Sequence, residues 1–153
     1  TLPSNAYWIE ADITVGTDAT AGLLLAAKEV VSPGQDGNSI AGTKIGYDAV
    51  HHQLFVDRSH AGGGKIKAGR EVQTIDLGTT GTDGSTAPAG KTLHLEILVD
   101  RSSLEVFADH GLYALSTHIF PDEDASSIYL FSDGGDAVIK SMKIWDLSPL
   151  HQH

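Results

Sequence analysis

The chain has no cysteine, which excludes disulfides, thiolate metal ligands and a cysteine nucleophile. Basic residues are scarce: ten Lys and Arg against 20 Asp and Glu give a formal net charge of -10. Nucleic acid and anionic membrane surfaces both reward a basic face, so neither is expected as a partner. Aromatic residues make up only 7%, with two Trp. That supply is too small for a long stacking groove and favours an end-on pocket built on polar groups. No stretch approaches the ~20 apolar residues of a membrane span. Position 1 is Thr rather than Met, and the chain is expected to be processed or excised from something longer.

What remains is a period-two pattern. At 153 residues, 41% of them hydrophobic, the chain suffices for one domain with a real core. Tyr7, Ile9, Ala11 and Ile13 alternate with Trp8, Glu10, Asp12 and Thr14, as in a half-buried strand. Further strands are expected at 22–31, 39–47, 53–57, 71–77, 93–100, 103–108, 112–120, 128–132 and 137–147. The breaks at 33–37, 61–64, 78–90, 109–111 and 133–136 are rich in Gly, Asp and Pro, which is turn chemistry. Only 23–31 also reads as a helix. About ten short strands without intervening helices predict an all-β protein, a two-sheet antiparallel β-sandwich.

The tetrapeptide Val-Asp-Arg-Ser occurs twice, at 56–59 and 99–102, each time where an apolar strand runs out. Asp and Arg together offer acceptors and a rigid fork of donors, which suits a vicinal diol on a sugar. They suit each other equally well. Asp57 and Arg58 are therefore either sugar ligands or a lock on the following loop, and Asp100 and Arg101 are ligands or hairpin-corner residues. If Arg101-Ser102 forms a two-residue turn, Asp100 faces Ser103, Leu98 faces Glu105 and Glu96 faces Phe107. Glu105 is a mid-strand carboxylate, costly unless paired, so it is a sugar acceptor or the partner of an Arg. Glu10 has a similar but weaker claim, and Tyr47 is either an aromatic wall or core packing. His51-His52, His60, His94, His110 and His118 show no paired His-x-His or carboxylate spacing in one strand, so no metal and no cofactor is expected. The acidic segments at 122–124 and 133–136 offer hard oxygens for calcium, with solvated turns as the default reading.

The run Val99-Asp100-Arg101-Ser102-Ser103-Leu104-Glu105-Val106-Phe107-Ala108-Asp109-His110-Gly111, followed by His118-Ile119-Phe120-Pro121, resembles the C-terminal β-sandwich of family 32 glycoside hydrolases, the invertases, inulinases and levanases. Tyr47-Asp48, the segment from Leu54 to Gly62, and the closing Ile128-Tyr129-Leu130-Phe131-Ser132-Asp133-Gly134-Gly135 and Ile144-Trp145-Asp146-Leu147 are similar in the same order, so the resemblance covers residues 7–147. In that family catalysis belongs to a separate propeller, whose Asn-Asp-Pro, Arg-Asp-Pro and Glu-Cys segments are absent here, so this chain is expected not to be an enzyme. Asp100 and Glu105 are close enough in sequence to suggest a glycosidase pair, but Arg pairing would keep both ionised.

The sequence also resembles the family 66 carbohydrate-binding modules associated with levanases. The resemblance implies a sandwich of the concanavalin A-like, jelly-roll type and capture of the terminal non-reducing fructose of levan or other fructans. Asp57, Arg58, Asp100, Arg101, Glu105, Tyr47 and Glu10 are then the candidate ligand contacts. It further implies a single domain over 1–153, excised from a larger secreted fructan-degrading enzyme whose catalytic propeller is its partner. The alternative is a structural C-terminal sandwich with no ligand of its own.

Overall fold

The computed structural model describes residues 6–31, 38–59, 71–77, 91–119 and 127–147. The turns expected at 33–37, 61–64 and 78–90, the acidic run 122–124, and His60, His151 and His153 lie outside the described residues. Among these residues ten strands run β1 Ala6–Val15, β2 Thr20–Val31, β3 Asn38–Asp48, β4 Gln53–Asp57, β5 Val72–Asp76, β6 Lys91–Asp100, β7 Ser103–Ala108, β8 Tyr113–His118, β9 Ser127–Asp133 and β10 Ala137–Asp146. They form two five-stranded antiparallel sheets, ordered β10-β1-β6-β7-β8 and β5-β4-β3-β2-β9.

Alternation explains why these residues form strands and which way each faces. In β1, Tyr7, Ile9, Ala11, Ile13 and Val15 are buried while Trp8, Glu10, Asp12 and Thr14 are only partly covered. Leu93, Leu95 and Ile97 of β6, with Leu104 and Val106 of β7, extend the same inner layer. Leu23, Leu25, Ile45, Leu54 and Val56 of the second sheet meet it. Each such side chain contributes roughly 1.5–3 kcal/mol when fully buried.

The helix reading of 23–31 fails because both edges of β2 are paired, to β3 and to β9, with Leu23 and Leu25 facing the core. A bulge between Leu25 and Lys28 places Ala26 at φ 48°. The buried Tyr7 hydroxyl hydrogen-bonds the Ala26 backbone, and burial pushes that phenol up to about 12. Gly22 lies opposite Gly46 on the outer side of the second sheet. A Cβ on Gly22 would collide with the Ile45 carbonyl oxygen, so the two strands approach where no larger residue fits.

One side of the sandwich is stitched shut. Arg58 Nη1 donates to the His118 carbonyl at 2.7 Å, Gln73 Nε2 to Thr117 Oγ1 at 3.4 Å, and the Tyr113 hydroxyl to the Leu77 carbonyl at 3.4 Å. The opposite side, between β9 and β10, is open. Leu130, Met142 and Ile144 are exposed there, and a cleft of about 200 Å³ runs in beside Ile13, Ala21, Leu130 and Ile139.

Candidate functional site

Both Val-Asp-Arg-Ser copies arrive at the same end of the sandwich. The β6–β7 hairpin has the expected register, with Asp100 opposite Ser103, Leu98 opposite Glu105 and Glu96 opposite Phe107. Its two-residue turn lacks glycine, and Arg101 takes φ 55°, a conformation that costs a non-glycine residue about 1–2 kcal/mol. Ser103 in turn lies opposite His118, whose carbonyl receives Arg58. Arg58 is 9% exposed, and its own backbone N–H donates to the Glu71 carbonyl at 2.7 Å. The Asp57 carboxylate accepts from the Ser59 N–H at 2.9 Å, closing an Asx turn. Tyr47 faces the core at 3% exposure, its hydroxyl 3.4 Å from His52 Nδ1. Burial, then the charges of Asp48 and Asp109, raise the Tyr47 phenol.

The other three candidate side chains share the outer face of the first sheet. Register places Lys143, Glu10, Glu96 and Phe107 in one row across four strands, and Trp145, Trp8, Leu98, Glu105 and Ser116 in the next. Asp100 extends this face toward the hairpin end, and Arg101 sits at its rim. The Trp8 and Phe107 rings lie 6.5 Å apart and tilted by 33°, and Trp8 Nε1 donates to Glu10 Oε1 at 3.3 Å. The half-buried Glu105 carboxylate makes no hydrogen bond or ion pair among the described residues, and neither does the exposed Asp100 carboxylate. Neither Arg58 nor Arg101 pairs with Glu105. Carboxylates accept hydroxyl protons and rings cover C–H faces, so this surface has both kinds of contact that a sugar offers.

Farther along the same face, a histidine is clamped by two acids. His94 Nδ1 is 2.8 Å from Asp12 Oδ1, and His94 Nε2 is 3.2 Å from Glu96 Oε1. The His110 ring stacks on His94 with centroids 4.3 Å apart. The hydrogen bond from His94 lowers the Asp12 carboxyl, with help from Ser141, whose hydroxyl donates at 3.0 Å. Burial pulls His94 toward its neutral form, but the hydrogen bonds and charges of Asp12 and Glu96 outweigh it and hold the imidazole above its ordinary range. Contrary to the expectation that no histidine has a carboxylate at strand spacing, His94 and Glu96 are alternate residues of β6 and so share a face. His110 had no sequence signal, because it reaches the cluster from a turn.

The outer side of the second sheet carries a cup of about 390 Å³ lined by Thr20, Asp48, His51, Gln53, Phe55, Val72 and Thr74. Its carboxylate is already committed: Asp48 accepts from the Val50 and His51 N–H groups and lies 2.7 Å from His51 Nδ1. Burial works against ionisation, but these contacts prevail and lower the Asp48 carboxyl. Asp12 and Asp48 are thus both shifted away from what a glycosidic acid requires.

Residues 2–146 match the family described as glycosyl hydrolases family 32 C terminal. A levanase of Bacillus sp. (strain L7) is 32% identical over 143 residues, covering 94% of this chain and 14% of the levanase. The crystal structure of an exo-inulinase from Aspergillus awamori is 27% identical with a TM-score of 0.67, over 94% of this chain and 25% of that one. The carbohydrate-binding module CBM66 from Bacillus subtilis shares the fold, at 12% identity and a TM-score of 0.55, over 94% of this chain and 76% of the module. The chain therefore spans a quarter or less of the two full-length hydrolases.

Proposed function

Because this chain belongs to the family 32 glycosyl hydrolase C-terminal domains, we propose that it is a non-catalytic module that binds the terminal non-reducing fructose of fructans, levan foremost, and holds an appended hydrolase on its polymer. The observation that carries this reading is the Trp8–Phe107 ring pair beside the Glu105 carboxylate, which has no partner among the described residues, on one sheet face. Glu105 and Asp100 would accept sugar hydroxyls, Glu10 and Arg101 would contribute from the flanks, and the rings would cover the apolar side of the furanose. Asp57, Arg58 and Tyr47 would hold the sandwich ends in shape rather than touch sugar. Polymeric fructans lie outside cells, so the parent protein would be secreted.

So open a site should hold one fructose weakly, with Kd on the order of mM, about -4 kcal/mol. Branched levan should bind tighter because it presents many ends at once. Isothermal titration with levan, inulin and fructose at equal fructosyl concentration tests this. Heat should track the number of non-reducing ends, and Glu105→Ala should weaken levan binding roughly tenfold or more with an unchanged Tm. No heat from any of the three with folded protein overturns the proposal. A second reading, a structural partner of an appended propeller, is favoured by the apolar strip along β9 and β10.

A further inference from the structure

The cluster of His94, Glu96 and His110 points to a ligand unrelated to sugar. One donor atom from each of the three lies within 4.8 Å of the others. Two imidazoles and one carboxylate form the His2Glu set that holds zinc with a fourth position left open. Imidazole donors favour zinc, copper or nickel over calcium or magnesium. The surroundings match as well. Asp12, opposite His94 in the β1–β6 register, engages Nδ1 at 2.8 Å. That contact leaves Nε2 as the nitrogen directed at Glu96, the arrangement in which a carboxylate orients a metal-bound histidine. Ser141 holds the far oxygen of Asp12 at 3.0 Å.

The third donor is placed by a costly turn. Asp109, His110 and Gly111 take φ values of 52°, 58° and 87° in succession. The Asp109 N–H donates to the His94 carbonyl at 2.9 Å, which fixes the turn against β6. His110 is exposed, so its ring can swing out of the stack and bring the donors to the ~3.4 Å separation of a tetrahedral zinc site.

We propose that Asp12, His94, Glu96 and His110 form a zinc site, with the last three as direct ligands and Asp12 orienting His94. Bound zinc would tie β1, β6 and the β7–β8 turn together at the edge of the Trp8–Phe107 surface, with its open position accepting water. The test is a zinc titration of metal-free protein in which His151 and His153 are both replaced by Ala, read by calorimetry and by Tm. One zinc should bind per chain and raise Tm. His110→Ala and Glu96→Gln should each weaken binding at least tenfold, and Asp12→Asn roughly 10–100-fold. His51→Ala, which removes the partner of Asp48, should leave zinc binding unchanged. Absence of binding, or binding equally strong in His110→Ala and Glu96→Gln, overturns the proposal. Because His110 is exposed, loss of zinc in that variant at an unchanged metal-free Tm separates ligation from folding. None of these outcomes depends on whether fructan binds.

Discussion

Arg58 shows that a residue type suited to a sugar also makes a structural contact. Its Nη1 reaches across from the end of β4 to the His118 carbonyl of the other sheet, with 9% of the residue exposed. A hydrogen bond from a charged donor contributes about 1.5–3 kcal/mol. Arg58→Ala should therefore lower stability by about that much in urea denaturation, while the remaining folded fraction still binds levan. A neutral effect on stability would remove the cross-sheet role. The His94 clamp has a pH signature. Folding raises His94, so its contribution is complete below ~6.5 and is lost as pH rises through the higher folded value. Folding lowers Asp12, so that contribution holds above ~3.9 and is lost as pH falls through the lower folded value. In metal-free protein, His94→Gln should depress Tm more at about pH 5.5 than at about pH 8.5. An equal or reversed difference would refute the clamp.

At the scale of elements, the β6–β7 hairpin supports two further expectations. Arg101→Gly should stabilise the fold by about 0.5–1 kcal/mol through relief of the left-handed conformation. If Arg101 flanks the sugar site, the same change should weaken levan binding. Gly22→Ala should destabilise by more than about 2 kcal/mol, because its methyl meets the Ile45 carbonyl with no room to shift. The hairpin was legible from sequence because alternation and a two-residue corner leave one register that keeps Leu95, Ile97, Val99, Leu104 and Val106 inside. The strand β2 was less so: two adjacent Ala beside three Leu permit a helix, and only pairing on both edges decides against it. The sheet order was not legible. Trp8 meets Phe107, and His94 meets Asp12, only because β6 inserts beside β1, a long-range pairing that local patterning does not encode.

For the whole molecule, the asymmetry between its two sides separates the two functional readings. The side near β5 and β8 is closed by hydrogen bonds, whereas the β9–β10 side leaves Leu130 57% and Met142 37% exposed. If that strip is covered by the remainder of a longer parent, the isolated domain should self-associate in sedimentation experiments and Ile144→Lys should restore the monomer. A monomer at all concentrations would leave the strip without that role and favour the sugar-binding reading.

The alternation in β1, β6 and β7 also has a consequence for how this domain can change over generations. The core and the outer face are written on interleaved residues of the same strands: Ile9, Ala11, Leu95, Ile97, Leu104 and Val106 point inward, while Trp8, Glu10, Glu96, Leu98, Glu105 and Phe107 point outward. A substitution at an outward position leaves the interior untouched. If this face is the recognition surface, selection can rewrite it one residue at a time without passing through an unfolded ancestor. A saturation library across these strands, sorted separately for folding and for binding, should yield two tolerance profiles with the same period of two and opposite phase.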